Sequence, residues 1–415
     1  MNTEWLYGLW HLTFWSYFWI AAVMLQVTLL GSTLYLHRDA THRSIDLHPV
    51  LRHFFRGWIW LTSSMLTREW VAVHRKRHAF ADRAGDPHSP VNEGLGKILL
   101  EGTEFYRCEA RNPLTQDHYG KGTQDDWIER NLYSRHRNAG IIAFVLIELA
   151  LFGVPGIILI ALQMLSMPVL AAGAINGLGH GVGYRNYEVE NAATNIVPWG
   201  MLICGEELHN NHHAFPASPK FSVRAWEFDA GWLFAVLLES VGLAKIKRTA
   251  IPSGVLTLAK WPDTGMIDPK TVYEVVRHRM QVLRAYAKQV TAPVVEQALV
   301  RQYRQPKKLR LPEAPRSKRP GARALRKLLT RSPALLDSPA KKRLQNLLAA
   351  YPALNIVHDY QEQLRQLWDT IYPARDNLPE MFTGWCARAE ASGIRSLEDF
   401  AAALRLFSST AARQR

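Results

Sequence analysis

Apolar and polar positions are segregated along this chain into long blocks. Between Trp5 and Leu36 no Asp, Glu, Lys or Arg occurs, and FWSYFWIAAVMLQVTLLGSTLYL, residues 14–36, is long enough as a helix to cross a bilayer. It lacks a basic n-region and a small-residue cleavage signature, so it reads as a retained span and not a removable signal peptide. A second apolar block runs from Ala139 to Gly179, with Glu148 its one charge and GVPG at 153–156 an interruption. Forty helical residues would reach roughly 60 Å, about twice the hydrocarbon thickness, so a hairpin of two spans is expected. The predicted spans are about 14–36, 139–153 and 156–179. Two shorter apolar stretches, FFRGWIWLTSSMLT at 54–67 and AGWLFAVLLESVGLAKIK at 230–247, are expected to lie along a membrane interface.

The remaining segments are polar and helical in period. TVYEVVRHRMQVLRAYAKQV, 271–290, has helical spacing; RQPKKLRLPEAPRSKRPGAR, 304–323, reads as an exposed basic linker; amphipathic helices follow. The predicted architecture is all-α. It comprises a membrane domain over 1–250, with spans and a cytosolic helical cap, and a basic helical extension over 251–415. The last part, WCARAEASGIRSLEDFAAALR at 385–405, resembles the helical C-terminus of some bacterial transposases, without their acidic catalytic triad.

Charge adds orientation. The 415 residues carry a formal +14, which calls for an anionic partner: phospholipid headgroups, an acidic carrier, a phosphorylated cofactor or nucleic acid. Lys and Arg crowd residues 37–138 and the chain after 184, whereas residues 1–13 have none. The positive-inside rule therefore places both basic segments in the cytoplasm, pointing to a bacterial inner-membrane protein with its C-terminus inside. Cys108, Cys204 and Cys386 are far apart and without CxxC spacing, which excludes a disulfide framework and a zinc-thiolate site. Gly177, Gly179, Gly181 and Gly183 have no P-loop lysine, so they suit close packing and not phosphate binding.

Candidate chemistry lies in the histidines. Of sixteen, eight fall in four groups: HRDATH at 37–42, HRKRH at 74–78, NGLGH at 176–180 and HNNHH at 209–213. A charge run such as HRKRH is ordinarily a solvated face. Topology argues otherwise, because the two-span hairpin returns the chain to the side of the first two groups just as the third begins. His74 with His78, and His209 with His212 and His213, share a helical face; so do Asn176 and His180. His37 and His42 would diverge by roughly 140° on a regular helix, so they suit a distorted helix end or two different ions. Eight imidazoles exceed one ion's needs, and two ions are the economical reading. Neutral imidazoles without obligatory carboxylates suit iron, copper or zinc, with iron the choice if oxygen is activated.

The four groups HxxxxH, HxxxH, NxxxH and HxxHH, interleaved with spans in this order, resemble the membrane-bound fatty acyl desaturases of the acyl-CoA Δ9 type. GYRNYEVENAATNIVPWGMLICGEELHNNHHAFP at 183–216 and GDPHSP at 85–90 are similar to the family's corresponding runs, and the likeness covers about residues 14–250. It implies a di-iron (Fe2+) enzyme that uses O2 as co-substrate, and two electrons from a separate reductase, to insert a cis double bond into a saturated acyl chain. It makes His37, His42, His74, His78, His180, His209, His212 and His213 ligands, with Asn176 acting through a water, and no catalytic side chain beyond the metal site. Trp70 matches a tryptophan beside the acyl tunnel, or else is an interfacial anchor. The implied partners are the phospholipid bilayer, a long-chain acyl group on CoA, acyl carrier protein or phospholipid, and the reductase; nucleic acid is not expected.

Two departures stand out. The second group in the family is normally HxxHH, and Arg77 occupies its fourth position here; the guanidinium is expected to turn out towards water or a phosphate while a water fills the vacated place. Ala72 and Val73 stand where the animal acyl-CoA enzymes carry charged residues. The alternatives are a membrane di-iron hydroxylase sharing these groups, and a metal-depleted membrane protein whose basic tail binds lipid or nucleic acid.

Overall fold

The computed structural model describes residues 6–247, 267, 269–304, 321–369 and 377–405, so most of the expected linker at 304–323 lies outside the described residues. It is almost wholly helical, as expected, and divides into two compact units: 1–186 with 191–250, and 187–190 with 251–415.

In the first unit, α1 (Phe14–Leu30) opens on Thr13, whose hydroxyl caps the Ser16 N–H. It then continues without a break as a π-helical segment, Gly31–Thr41. Helix α2 (Pro49–Ser63) buries Phe55, Ile59 and Thr62 while exposing Val50 and Phe54. Ser64, in the left-handed region at φ 55°, ends it and lets the chain re-enter α3 (Thr67–Phe80), which carries HRKRH. Helices α4 (Leu95–Ala110) and α5 (Pro113–Tyr119) pack on α3.

Two packed helices occupy the stretch where a hairpin of two spans is expected. Helix α6 (Ala139–Phe152) turns at Gly153, φ 62°, into α7 (Val154–Ser166), which extends as a second π-helical segment, Met167–Ile175. Its first arm is shorter than a full crossing: 14 residues at 1.5 Å rise reach about 21 Å against roughly 30 Å of hydrocarbon. Among the described residues, two continuous helices are long and apolar enough to cross, Phe14–Thr41 and Val154–His180. Phe14, Trp15, Phe18 and Trp19 on α1, Ile142, Leu146 and Ile147 on α6, and Ile157, Ile158 and Leu162 on α7 are exposed. Large apolar side chains crowded on α1 and α6, which both pack on α7, and on α7 itself suit a lipid surface.

Helix α8 (His209–Ala214) and α9 (Ala230–Ser240) follow, and the short strand Ile45–Leu47 pairs antiparallel with Ala244–Ile246. The core below the π-helical segment is Leu34, Tyr35, Leu36, Ile45, Leu47, Phe55, Ile59 and Ala235. Beside it a fully buried ion pair joins Arg38 to Asp229 at 3.0 Å, with the guanidinium 4.1 Å from the Phe221 ring centre. Gly205 and Gly231 make room for this pair: a Cβ at either would collide with it.

The regular elements described in the second unit are all helices. Helix α10 (Pro269–Arg277) leads to α11 (Arg279–Tyr286), which continues through Ala287–Thr291 into α12 (Ala292–Arg304). Among the described residues five more α-helices and a 3-10 turn, Pro333–Leu335, lie between Ala322 and Arg405. Trp385, Tyr286, Phe382 and Phe400 are fully buried, and Tyr286 donates to the Val357 carbonyl at 2.8 Å.

Candidate metal centre

All eight grouped histidines lie in the first unit, and they form two clusters. His37, His42, His74, His78 and His212 converge with their ligand atoms within 4.8 Å of one another; His180, His209 and His213 do the same. Of the two possibilities for His37 and His42, the distorted helix end is the one observed. The His42 N–H donates to the His37 carbonyl five residues back, so five residues close one turn and both rings meet the same cluster.

In the larger cluster the His37 and His212 Nε2 atoms are 3.0 Å apart, as are those of His74 and His78 and those of His78 and His212; His42 and His74 are at 3.3 Å. In the smaller one His209 Nε2 is 3.1 Å from both His180 and His213 Nε2. Burial, followed by the charges of neighbouring groups, pushes His42, His74, His78, His209, His212 and His213 well below the ordinary histidine pKa. The rings are therefore neutral, the state in which imidazole binds a metal.

Acidic groups fix the outer faces of two rings. His37 Nδ1–H donates to Glu206 Oε1 at 2.7 Å, which also accepts from Thr33 at 2.6 Å; His180 Nδ1–H donates to Asp82 Oδ2 at 2.7 Å. Each bond places the proton on Nδ1 and turns the Nε2 lone pair inward. Burial opposes the charge on Asp82, but His180, the Ala192 N–H and Ser89 hold its pKa down at about 2.

The asparagines of HNNHH are anchors. Asn211 donates to the Phe221 carbonyl at 2.9 Å and to Glu227 at 3.0 Å, and Glu227 also takes the Tyr184 hydroxyl and the Val223 and Arg224 N–H groups. Asn210 accepts from the Asn186 N–H and donates to the Ala193 carbonyl. These bonds hold α8 with its histidines facing inward. Gly179 is needed for its closeness to a ring: a Cβ there would lie 3.1 Å from His209 Cδ2.

HRKRH is not a solvated face. Arg75 donates to the carbonyls of Ala40, Thr41, Tyr119 and Lys121, and Lys76 pairs with Glu109 at 2.8 Å. Arg77 does not turn out to water as expected; it is buried, with Nη2 3.5 Å from the Asn176 carbonyl. The reason is local: Arg77 lies on the inward side of α3 with Val73, so its side chain enters the molecule. Burial followed by the Arg77 charge pushes His88 of GDPHSP down to about 3.

A cavity of about 410 Å³ adjoins the larger cluster, within the roughly 300–1,000 Å³ of sites that enclose small ligands. Trp70, Val73, Ile141, Met164 and Ile175 give it an apolar wall, and His37, His74, Arg77 and Asn176 line it as well. The Trp70 ring stacks on His74 at 4.7 Å and 10°. Exposed Arg107 and Arg111 also belong to its lining and mark a basic rim.

The five-ring donor set fits a transition ion of about six-fold coordination. Its five Nε2 atoms face one another, with neighbours 3.0–3.3 Å apart. The three-ring set fits less well, because a buried guanidinium, permanently charged and without a lone pair, sits beside it.

Fold and site thus define an all-helical, membrane-associated protein with a buried polyhistidine centre on an apolar cavity. A model of the fatty acid desaturase family matches residues 13–232, and the chain belongs to that family. It is 31% identical over 236 residues to an acyl-CoA 5-desaturase of Anemone leveillei, covering 55% of this chain and 71% of that protein. It is 28% identical to Delta-9 acyl-lipid desaturase 1 of Arabidopsis thaliana over 55% and 74% of the two chains, and 30% identical to the sn-1 stearoyl-lipid 9-desaturase of Synechocystis over 52% and 66%. The chain is accordingly an oxidoreductase that acts on fatty acyl groups. A transposase family model matches residues 270–410, extending the likeness seen in the last part of the sequence over nearly all of the second unit.

Proposed function

We propose that this protein is an O2-dependent, iron-using acyl desaturase that places a cis double bond in a saturated long-chain acyl group carried on CoA, acyl carrier protein or phospholipid. A single observation carries the reading: His37 and His74 belong both to the five-histidine cluster and to the wall of the apolar cavity, with Trp70 stacked on His74, so a chain in the cavity lies against the cluster. Of the two irons that the desaturase resemblance implies, this cluster supports one.

An alkyl C–H has no acidity for a base to exploit, and bound iron would supply the oxidising chemistry. The protein's own residues do the rest. Glu206 holds His37 in the Nδ1–H form, Trp70 fixes the plane of His74, and α8 presents His212 from the opposite side. Val73, Ile141, Met164 and Ile175 exclude water and confine the methylenes near the cluster. Exposed Arg107 and Arg111 suit a phosphate-bearing carrier at the rim. The balance is O2 plus two substrate hydrogens, two electrons from a separate reductase and two protons, giving the alkene and two waters. The basic segments, on the positive-inside rule, support a site on the cytoplasmic side, which in a bacterium is the inner face of the inner membrane.

The test is expression in a host followed by membrane lipid analysis. The parent should add an unsaturated acyl species, and His74→Ala and His212→Ala should remove it while still inserting in the membrane. Unchanged product in those variants overturns the reading.

A further inference from the structure

We infer that this chain holds one transition-metal ion, at the five-histidine cluster, and that the Arg77 guanidinium takes the place of a second ion beside His180, His209 and His213. This rests on the proposed reading of the five-histidine cluster as an iron site.

The two clusters are unequal in donors, five rings against three. Arg77 immediately precedes His78 on α3, its side chain is buried, and its charge acts on all three rings of the smaller cluster, His180, His209 and His213. Its Nη2 reaches the carbonyl of Asn176, four residues before His180, so the guanidinium fills the approach from which Asn176 could complete a coordination shell. Arginine stays protonated and offers no lone pair, so it can neither ligate nor stand aside as a neutral group.

The surrounding charges suit that arrangement. Among the described residues Arg77 makes no direct ion pair, but it feels the attraction of Asp82 and Asp86. Asp82 is held by His180, and Asp86 by the N–H groups of Asp82 and His88. The carboxylates next to the smaller cluster are thereby answered by a fixed cation.

A second observation points the same way. His213 Nδ1 faces Asn191 Nδ2 at 3.0 Å, and the Asn191 amide is oriented by its Oδ1, which accepts the Ala193 N–H at 3.1 Å. His213 Nδ1 is therefore the acceptor, and the neutral ring carries its proton on Nε2, the atom aimed at His209. His180 has the opposite tautomer. Ligation by His213 Nε2 would require the asparagine amide to turn and give up its backbone bond.

The experiment is metal content per chain of the purified full-length protein, loaded anaerobically with ferrous iron in detergent and desalted. One ion in the parent, none in His212→Ala and one in His213→Ala support the inference. Arg77→His should then rise towards two. Two ions in the parent, or a fall in His213→Ala, overturns the single-ion inference and leaves the iron-desaturase reading standing. No ion in the parent overturns both. Arg77→His that folds and stays at one shows that Arg77 is not what excludes the second ion. Should Arg77→His fail to fold, the parent and the two histidine variants decide the matter.

Discussion

Glu206 offers a clean perturbation because both of its bonds at the site end on one atom. Oε1 accepts from His37 Nδ1 at 2.7 Å and from Thr33 Oγ1 at 2.6 Å. Burial opposes its charge, but His37 and then Arg38 hold its pKa below the usual range, so it is ionised. Glu206→Gln keeps an oxygen with two lone pairs in the same place and removes only the charge. A hydrogen bond to a charged group contributes about 1.5–3 kcal/mol and a neutral one about 0.5–1.5, so the loss is about 1–1.5 kcal/mol, or roughly five- to twelvefold in metal affinity. Glu206→Ala also removes the acceptor, leaving the buried His37 Nδ1–H unpartnered, Thr33 with only the Cys204 carbonyl at 3.5 Å, and the His37 ring free to take the other tautomer; the loss should reach the ~10–100-fold of other outer-sphere deletions or exceed it. Competition with a chromophoric chelator for Co2+ or Zn2+ measures both. Equal affinities for the Gln and Ala variants, or a Gln variant within about twofold of the parent, would refute the charge-assisted role of Glu206.

Asp229→Asn leaves the Arg38 guanidinium buried without its counter-ion and should cost about 3–5 kcal/mol, seen as a lower unfolding midpoint, whereas Arg38→Met with Asp229→Leu should recover much of it. The depressed pKa values of His42, His74, His78 and His212 set a pH dependence: above about 6.5 both folded and unfolded rings are neutral, and below it the unfolded chain takes up protons that the folded one refuses. Stability of the metal-free protein should therefore fall between pH 7.5 and 5.5, by about 1.4 kcal/mol per ring one pH unit below its unfolded value; a midpoint that rises on acidification sinks this. Residues 1–250 alone should insert and keep measurable desaturation, since every proposed ligand precedes residue 214; complete loss in a well-expressed truncation would make the second unit part of the catalytic body.

The long apolar helices and the histidine groups were legible because each rests on local pattern: runs without charge, and ring spacings of three or four. His37 and His42 were ambiguous because regular helical geometry separates them; the π-helical winding that unites them comes from packing and has no signal in residue type. Asp82, Asn191, Glu206 and Glu227 went unseen, being ordinary polar residues that meet their partners across tens to more than a hundred positions. Adjacency to a histidine group was the one available hint, as for Glu206 three residues before His209. Arg77 shows the opposite difficulty. A cation in a basic run reads as solvated, and only the inward side of α3 reveals it as buried. The brevity of α6 was likewise hidden, because a turn glycine inside an apolar block does not say how much of each arm spans.

The most direct measurement gives membranes containing the protein, with a reductase system, a saturated acyl substrate deuterated along its chain, and follows the product by mass spectrometry in the presence and absence of O2. The expected result is an O2-dependent product that has lost two deuterium atoms across one new double bond, absent in His212→Ala. A hydroxylated product that has lost a single deuterium, or a substrate that stays unchanged in membranes holding iron-loaded protein, would contradict it.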